Sequence, residues 1–292
     1  MSGARRFFVE KAEEETLLEG EEFEHAKNVL RLGVGEEIIL LDNSGKEYSA
    51  VIAEVGKRAM KLHVLRVNEG DREAATEVAL LFGYLKNADK NEFIVQKAVE
   101  LGVRKLVAFS SEYSSSYMNA NKLERLNKVS REAAKQCLRS VAPAVEYCAS
   151  LEEALRTVSG YKNKLFACEF AERSETDLAR LSGSTALVVG SEGGFSREEA
   201  ALASASGFAS VTLGRRILRA ETAAIALTSV AMFSLGELGR ETSGQGSDDG
   251  ADKADKAGAS AQTASAQTVS APTAKAEKAE RGGRENGAEA EQ

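Results

Sequence analysis

The sequence predicts a mainly parallel α/β domain preceded by a small β-barrel. Three observations carry that reading. From residue 77 onward, continuous apolar runs such as VALLFGYL (78–85) alternate with amphipathic helices, the pattern of strands buried on both faces of a parallel sheet. Before residue 72, short strand candidates follow one another closely with a single helical stripe, which suits a barrel of about 70 residues. Finally, two polar loops, 190–195 and 213–221, each follow an apolar strand run and each open a helix. In open α/β sheets ligands gather at such strand ends. The polar stretch 68–76 (NEGDREAAT) is the linker, so the chain divides at 1–72, 73–240 and 241–292.

The barrel elements read in order. RRFFVE (5–10) is a short strand headed by two arginines. Residues 21–32 place Phe23, Ala26, Val29 and Leu30 on one helical stripe. EEIILLD (36–42) and residues 47–55 flank Asn43-Ser44-Gly45, a hairpin signal, and AMKLHVLRV (59–67) is a further strand.

In the second domain, 89–101 is a helix with Phe93, Ile94, Ala98 and Leu101 inward, closed by Gly102. Residues 105–109 form the next strand. Residues 121–138 form a long helix with Leu123, Leu126, Val129, Ala133 and Cys137 as its stripe. Strand candidates at 145–147 and 164–168 bracket a helix at 151–158, and 221–238 is the last helix.

From residue 241 the composition changes to Ala, Ser, Gly, Glu, Lys and Thr with no aromatics. Such a segment cannot bury enough apolar area to offset ordering entropy, so it reads as disordered. The formal net charge is −7, from 45 acidic and 38 basic residues. Residues 241–292 hold ten acidic and six basic residues, leaving the body at −3; charge therefore neither supports nor excludes an RNA partner. Three cysteines without a CxxC pair imply neither a disulfide framework nor a zinc site. Two histidines argue against a histidine metal site or a Ser-His-Asp triad. The sequence shows no leader core and no apolar run of membrane-spanning length, so a cytoplasmic chain without a membrane partner is expected.

In GSEGGF (190–195), Gly190, Gly193 and Gly194 allow sharp turning and close ligand approach. Ser196 with Glu199 makes a capping box. The spacing fits neither the dinucleotide nor the P-loop pattern; a tight strand-to-helix turn is the plain alternative. In LGRRILRAET (213–222), Ile217 and Leu218 lie between Arg215, Arg216 and Arg219, an arrangement suited to a flat apolar ring rimmed by donors. Arg219 is placed to grip phosphate or stabilise developing negative charge. Glu221 alternatively sits in the first helical turn, where the dipole favours acids. Lys86 and Lys90 flank the first helix, and Arg139 ends the long one; each also has an ordinary surface explanation. So do Arg5, Arg6, Lys27 and Arg31 in the barrel. His25 and Cys168 read more readily as packed side chains than as catalysts.

Four segments now carry a resemblance: QKAVELGV (96–103), EAAKQCLR (132–139), LVVGSEGGFSREE (187–199) and LGRRILRAETA (213–223), joined by RRFFVE and HAKNVLRLGVGEEIILLD at the start. Together they resemble RsmE-type ribosomal RNA methyltransferases of the SPOUT superfamily, over about residues 5–239. The resemblance implies a PUA-like RNA-binding barrel, then a SPOUT α/β domain with a deep trefoil knot, a topology no general rule would suggest. It implies a homodimer that uses S-adenosyl-L-methionine, without a metal, to methylate N3 of a uridine in 16S rRNA of the small ribosomal subunit. The donor would be held by Ala167, Cys168, Val189, Gly190, Gly193, Gly194, Leu213, Gly214, Ile217 and Leu218. Arg219 is the first choice for gripping or stabilising substrate, with Glu221 and Glu192 in proton removal or positioning. Arg5, Arg6, Arg31, Lys86, Lys90, Arg139 and Thr222 would face RNA.

The chain departs from the family pattern at Ser191 and Arg215, where proline is common, at Tyr113 after the third strand, and at Leu138 before Arg139. Tyr113 and Leu138 bear on substrate contacts rather than on the donor. Two other readings stay open at this point: a SPOUT enzyme acting on tRNA or a ribose 2′-hydroxyl, and a non-catalytic rRNA-binding assembly factor.

Overall fold

The structure is a computed structural model that describes residues 5–168, 171 and 174–239; the segment 241–292 lies outside the described residues. Two sheets organise it. The N-terminal sheet has five strands, β1 (Arg5–Phe8), β2 (Glu15–Glu19), β3 (Glu37–Leu41), β4 (Lys46–Val55) and β5 (Ala59–Glu69), in the order β1-β3-β4-β5-β2. Pairing is antiparallel except between β1 and β3. The sheet wraps a core of Phe7, Leu18, Phe23, Ile38, Leu40, Ile52, Met60 and Leu62.

Strand β2 was not anticipated. Its signal is short: Thr16 and Leu18 point inward while Leu17 is exposed, and charged neighbours on both sides hide the alternation. The expected helix over 21–32 is also corrected. Only Gly20–Glu24 (α1) is an α-helix; His25–Val29 continues as a wider π-turn, with the Leu30 amide donating to His25 O at 3.0 Å. The wider turn carries Val29 off the expected stripe and into solvent, whereas Phe23 and Ala26 remain buried.

The second sheet has six strands, all parallel: β6 (Val78–Gly83), β7 (Lys105–Phe109), β8 (Val145–Cys148), β9 (Asn163–Ala167), β10 (Thr185–Val189) and β11 (Ala209–Val211), in the order β11-β9-β10-β6-β7-β8. Strands β6 and β10 are buried at every position, which is why their sequences are unbroken apolar runs. One face is covered by α2 (Ala88–Glu100), α3 (Ala120–Gln136) and α6 (Ala220–Ser234). The other packs against α4 (Leu151–Arg156) and α5 (Arg197–Ala205). On α2, Ile94 and Ala98 face inward as expected, but Phe93 is exposed, because Val95 and Val99 complete the inward stripe in its place. Because the sheet is parallel, the loops after β6, β9, β10 and β11 converge on one edge.

The two sheets are fastened at the C-terminal end of α3. Arg139, expected to face RNA, is instead buried, with 2% of its surface exposed. Its guanidinium pairs with Glu73 at 2.7 Å and donates to the carbonyls of Val99 and Val103 at 2.9 and 2.8 Å. Glu73 also accepts the amides of Ser140 and Val141. A guanidinium with its donors used inside the protein is not a phosphate contact, so Arg139 leaves the RNA list. Ala142 N donates to Asn43 Oδ1 at 2.9 Å, and Lys135 pairs with Glu22 at 3.1 Å, tying α3 to the first sheet.

Helix α3 ends in a Schellman turn, with the Arg139 amide donating to Ala134 O at 2.9 Å. Its left-handed position, usually glycine, is Leu138 at φ 64°. That conformation costs a leucine about 1–2 kcal/mol, part of which glycine forfeits through greater unfolded-state freedom. Leu138→Gly should therefore raise unfolding stability in urea by about 0.5–1 kcal/mol; an unchanged or lowered midpoint would show that Leu138 is held by contacts that outweigh the strain.

Candidate active site

The converging loops enclose a cleft of about 580 Å³, within the size range of small-molecule sites. Its walls are the end of β9 at Ala167 and Cys168, the loop after β10 at Val189, Gly190 and Gly194, and the loop after β11 at Leu213, Gly214, Ile217 and Leu218. Glu192, Arg219, Glu221 and Lys90 also line it, with Arg215 and Arg216. Of the residues expected around a donor, Gly193 alone stands outside the lining, on the far side of the same loop.

The loop after β10 is built by close packing. A methyl group on Gly190 would stand 2.9 Å from the Gly194 backbone, and one on Gly83 would stand 2.5 Å from the Ser191 amide nitrogen. Gly194 adopts φ 69° and returns its amide to Ser191 O at 3.0 Å. Ser191, where proline is common in the resembling family, is buried, and the Ser111 hydroxyl donates to its oxygen at 3.0 Å. The Ser196–Glu199 capping box forms as expected. Glu199 also accepts the Glu112 amide at 2.9 Å, a tertiary contact with no local signal. The Glu192 carboxylate accepts the Lys86 amide at 3.0 Å, so it ties the β10 loop to the end of β6.

The loop after β11 is open by contrast. Among the described residues, the backbone N–H groups of 215–218 have no hydrogen-bond partner. Ile217 is 91% exposed, while Leu218 is half-buried against the main core. Arg219 is the N-cap residue of α6, makes no side-chain cap, and is exposed without an ion-pair partner among the described residues. Glu221, in the first turn of α6, pairs with Lys90 at 3.1 Å. Burial works to raise the Glu221 carboxyl, but the hydrogen bond from its own backbone N–H and the Lys90 ammonium outweigh it and hold the group below the ordinary carboxylate range.

The remaining predicted RNA contacts divide. Lys86 and Thr222 are exposed beside the cleft, and Lys90 is partly engaged with Glu221. In the barrel, Arg5 is exposed and donates to Leu30 O, and Arg31 is exposed at φ 56°. Arg6 is corrected: its side chain is only 8% exposed and paired with Glu47, so little of it reaches a phosphate. His25 is half-buried with its ring against Phe7, and Cys168 is buried in the second core cluster. Sequence reasoning missed Asn91, a buried amide that bonds the Leu85 amide and carbonyl at 2.9 Å and shapes the turn carrying Lys86; a polar residue on the inner stripe of α2 was its only signal.

A parallel sheet with a ring-sized cleft at its strand ends, and an exposed arginine at the start of the helix beside it, defines a small-molecule site of an α/β domain. The family model for the RNA methyltransferase domain matches residues 72–232, and that for the RNA methyltransferase PUA domain matches residues 18–63. The chain belongs to the RNA methyltransferase family. Within that family it is of the RsmE type. Ribosomal RNA small subunit methyltransferase E of Rickettsia conorii is 31% identical over 218 residues, covering 72% of this chain and 85% of the relative. The solved structure of ribosomal RNA small subunit methyltransferase E from Neisseria gonorrhoeae, bound to S-adenosyl methionine, is 29% identical with a TM-score of 0.71, covering 80% of this chain and 98% of its own. A methyltransferase from Legionella pneumophila with bound cofactor SAM is 28% identical with a TM-score of 0.72, covering 79% and 98%.

The Lys90–Glu221 pair yields a pH test. Because the native carboxyl is held low, its contribution to stability is present above the unfolded value of about 4.3 and is lost as pH falls through the native one. In Lys90→Met the Glu221 carboxyl should titrate higher, towards the ordinary range, in carboxyl-detected NMR, and the acid limb of the stability curve should flatten. An unmoved titration would show that Lys90 does not hold the carboxylate in solution.

Proposed function

We propose that this chain transfers a methyl group from S-adenosylmethionine to N3 of a uridine in 16S rRNA, acting on the small ribosomal subunit as a cytoplasmic homodimer. The observation that carries the reading is the cleft itself: two glycine loops and three strand ends around a space of about 580 Å³, in a chain of the RNA methyltransferase family. When bound, S-adenosylmethionine supplies a methyl group on a positively charged sulfur, an electrophile for a nitrogen nucleophile.

The residues present fit such a donor. Ala167, Cys168, Val189, Gly190, Gly194, Leu213, Gly214 and Leu218 would surround it, with the unpartnered amides of 215–218 available to a purine edge. Gly193 supports this wall from behind, and Ile217, wholly exposed, is free to close over it. The absence of a phosphate cradle matches a nucleoside donor without phosphate.

Uracil N3 carries a proton that is lost to solvent water as the N3–methyl bond forms and the donor's carbon–sulfur bond breaks; its departure leaves negative charge spread over the ring. Arg219, cationic, exposed and without an ion-pair contact among the described residues, is placed to stabilise that charge, although its field also reaches Glu221. Glu221 is a poor proton acceptor, because its carboxyl is held below the ordinary range; its part is to fix Lys90 at the cleft wall. Glu192 is likewise a positioning group, since its oxygen is committed to the Lys86 amide. Lys86 and Thr222 beside the cleft, with Arg5 and Arg31 on the barrel, supply the contacts to phosphate that position an RNA without reading its bases.

Nucleoside mass spectrometry of 16S rRNA from a strain lacking this gene should show loss of N3-methyluridine, restored by the wild-type chain. Arg219→Ala should bind S-adenosylmethionine within about twofold of wild type by calorimetry while lowering methyl transfer roughly 100-fold, the scale seen on removing one stabilising donor. Retained N3-methyluridine in the deletion strain points to another RNA target, and full transfer by Arg219→Ala removes its assigned role.

The homodimer reading is supported by the outer face of α6. Its inner side buries Ala224, Leu227, Thr228 and Ala231, while Val230 and Phe233 face solvent, Phe233 at 68% exposure. An exposed phenylalanine beside a valine on one helix face suits a self-complementary interface. Light scattering should give twice the chain mass for wild type and the chain mass for Phe233→Glu; a dimeric variant would move the interface elsewhere.

A further inference from the structure

We propose that Tyr113 is a stacking platform for a nucleobase of the RNA substrate, set beside the methyl-donor cleft. This deepens the proposed function and rests on RNA being the substrate. Tyr113 lies on the loop between β7 and α3. Its side chain covers the outer face of Gly193: a methyl group on that glycine would stand 2.6 Å from Tyr113 Cβ and 3.2–3.3 Å from the ring. The ring is therefore seated on the very loop whose other face walls the cleft, through Gly190, Glu192 and Gly194. It is nevertheless 50% exposed, and its hydroxyl has no partner among the described residues.

An exposed aromatic on a mobile loop would mean little, but this loop is fixed on both sides of Tyr113. The Ser111 amide donates to Ser114 Oγ at 3.0 Å, and the Ser114 amide donates to Ser111 O at 2.9 Å. Ser111 Oγ donates to Ser191, and the Glu112 amide to Glu199. Those bonds reach the β10 loop and the start of α5, so the backbone around Tyr113 is tied to the cleft wall. The Lys86 backbone is close by in the fold, since its amide is bonded to Glu192, the neighbour of Gly193, and its side chain is exposed.

An exposed ring on a backbone already fixed by hydrogen bonds, with its Cβ seated on Gly193, loses less freedom when a base stacks on it, and aromatic side chains are the usual platforms for unstacked bases. A base to be methylated at N3 must leave its pairing partner, because that atom lies on the paired edge, and the exposed base then needs a stacking surface. Tyr113, outside the cleft on the opposite face of the loop, offers one to a base that neighbours the methylated uridine and is unstacked with it. Neither a buried core role nor a capping role explains a half-exposed tyrosine in so tightly bonded a turn.

Three variants of the full chain separate stacking from support of Gly193. Tyr113→Phe keeps the ring, and Tyr113→Leu keeps an apolar cover over Gly193 but no flat face. Tyr113→Trp supplies the only tryptophan in a chain that has none. Binding to small ribosomal subunits prepared from the gene-deletion strain is measured by filter retention, beside calorimetry with S-adenosylmethionine. The expected result is wild-type RNA affinity for Phe, about a tenfold loss for Leu, unchanged donor affinity for both, and quenching of the Trp emission on RNA binding. Wild-type RNA affinity in Tyr113→Leu, or a parallel loss of donor affinity, overturns the proposal and leaves Tyr113 as support for the loop. A wild-type chain that binds donor but no subunit overturns both this inference and the choice of substrate. One that binds and methylates subunits while Tyr113→Leu does so equally well overturns this inference alone.

Discussion

The backbone of the loop after β10 lies against the end of β6 with no room for a side chain between them. Gly83 on one side meets the Gly190–Ser191 backbone on the other, and Gly190 packs in turn on Gly194 within its own loop. Everything at the cleft depends on it. The approach brings Glu192 to the Lys86 amide and Ser191 to Ser111, and those bonds in turn fix the loop after β7 on which Tyr113 sits. Because β6 and β10 are neighbours in a wholly buried parallel sheet, the loop inherits the rigidity of the core. A site assembled on strand ends in this way is preorganised, and a methyl transfer between two bound partners draws much of its rate from such positioning.

The loop after β11 obeys the opposite logic. Its backbone amides at 215–218 are unpaired among the described residues and Ile217 is 91% exposed. One wall of the cleft is thus stiff and the other offers unused donors and an apolar side chain. This division suits a ligand that is gripped after entry. The charges at the start of α6 are unequal: Glu221 is paired with Lys90 and also feels the Arg219 charge, while the Arg219 guanidinium is exposed and makes no ion-pair contact among the described residues.

The barrel's attachment is a separate device. Arg139 and Glu73 form a buried, multiply hydrogen-bonded pair that closes the end of α3 against the linker and the end of α2. Breaking such a pair is costly because the survivor is left as an uncompensated buried charge. The pair holds the linker at the site where the two sheets meet, which sets where the barrel's exposed Arg5 and Arg31 stand relative to the cleft.

Much of this was legible from residues in order. Unbroken apolar runs at 78–85 and 185–189 announced doubly buried strands, and the glycine loops after them announced the cleft, because both signals depend only on near neighbours in the chain. The capping box at Ser196 and Glu199 is local in the same sense. What was misjudged depends on distant partners. Arg139 looked like a helix-ending surface charge until Glu73, 66 residues away, was brought to it. Phe93 looked buried by periodicity, and Val29 by a helix that the fold widened into a π-turn. The second role of Glu199 and the bond from Ser111 to Ser191 join loops 80 or more residues apart. The sequence by itself determined the two-part architecture, the strand ends that face ligand and the residue types around them, since periodicity and turn chemistry are local. Only the tertiary structure decided which charges are spent inside the protein and which remain free at the cleft, since that depends on which long-range partners the sheet order brings within hydrogen-bond reach.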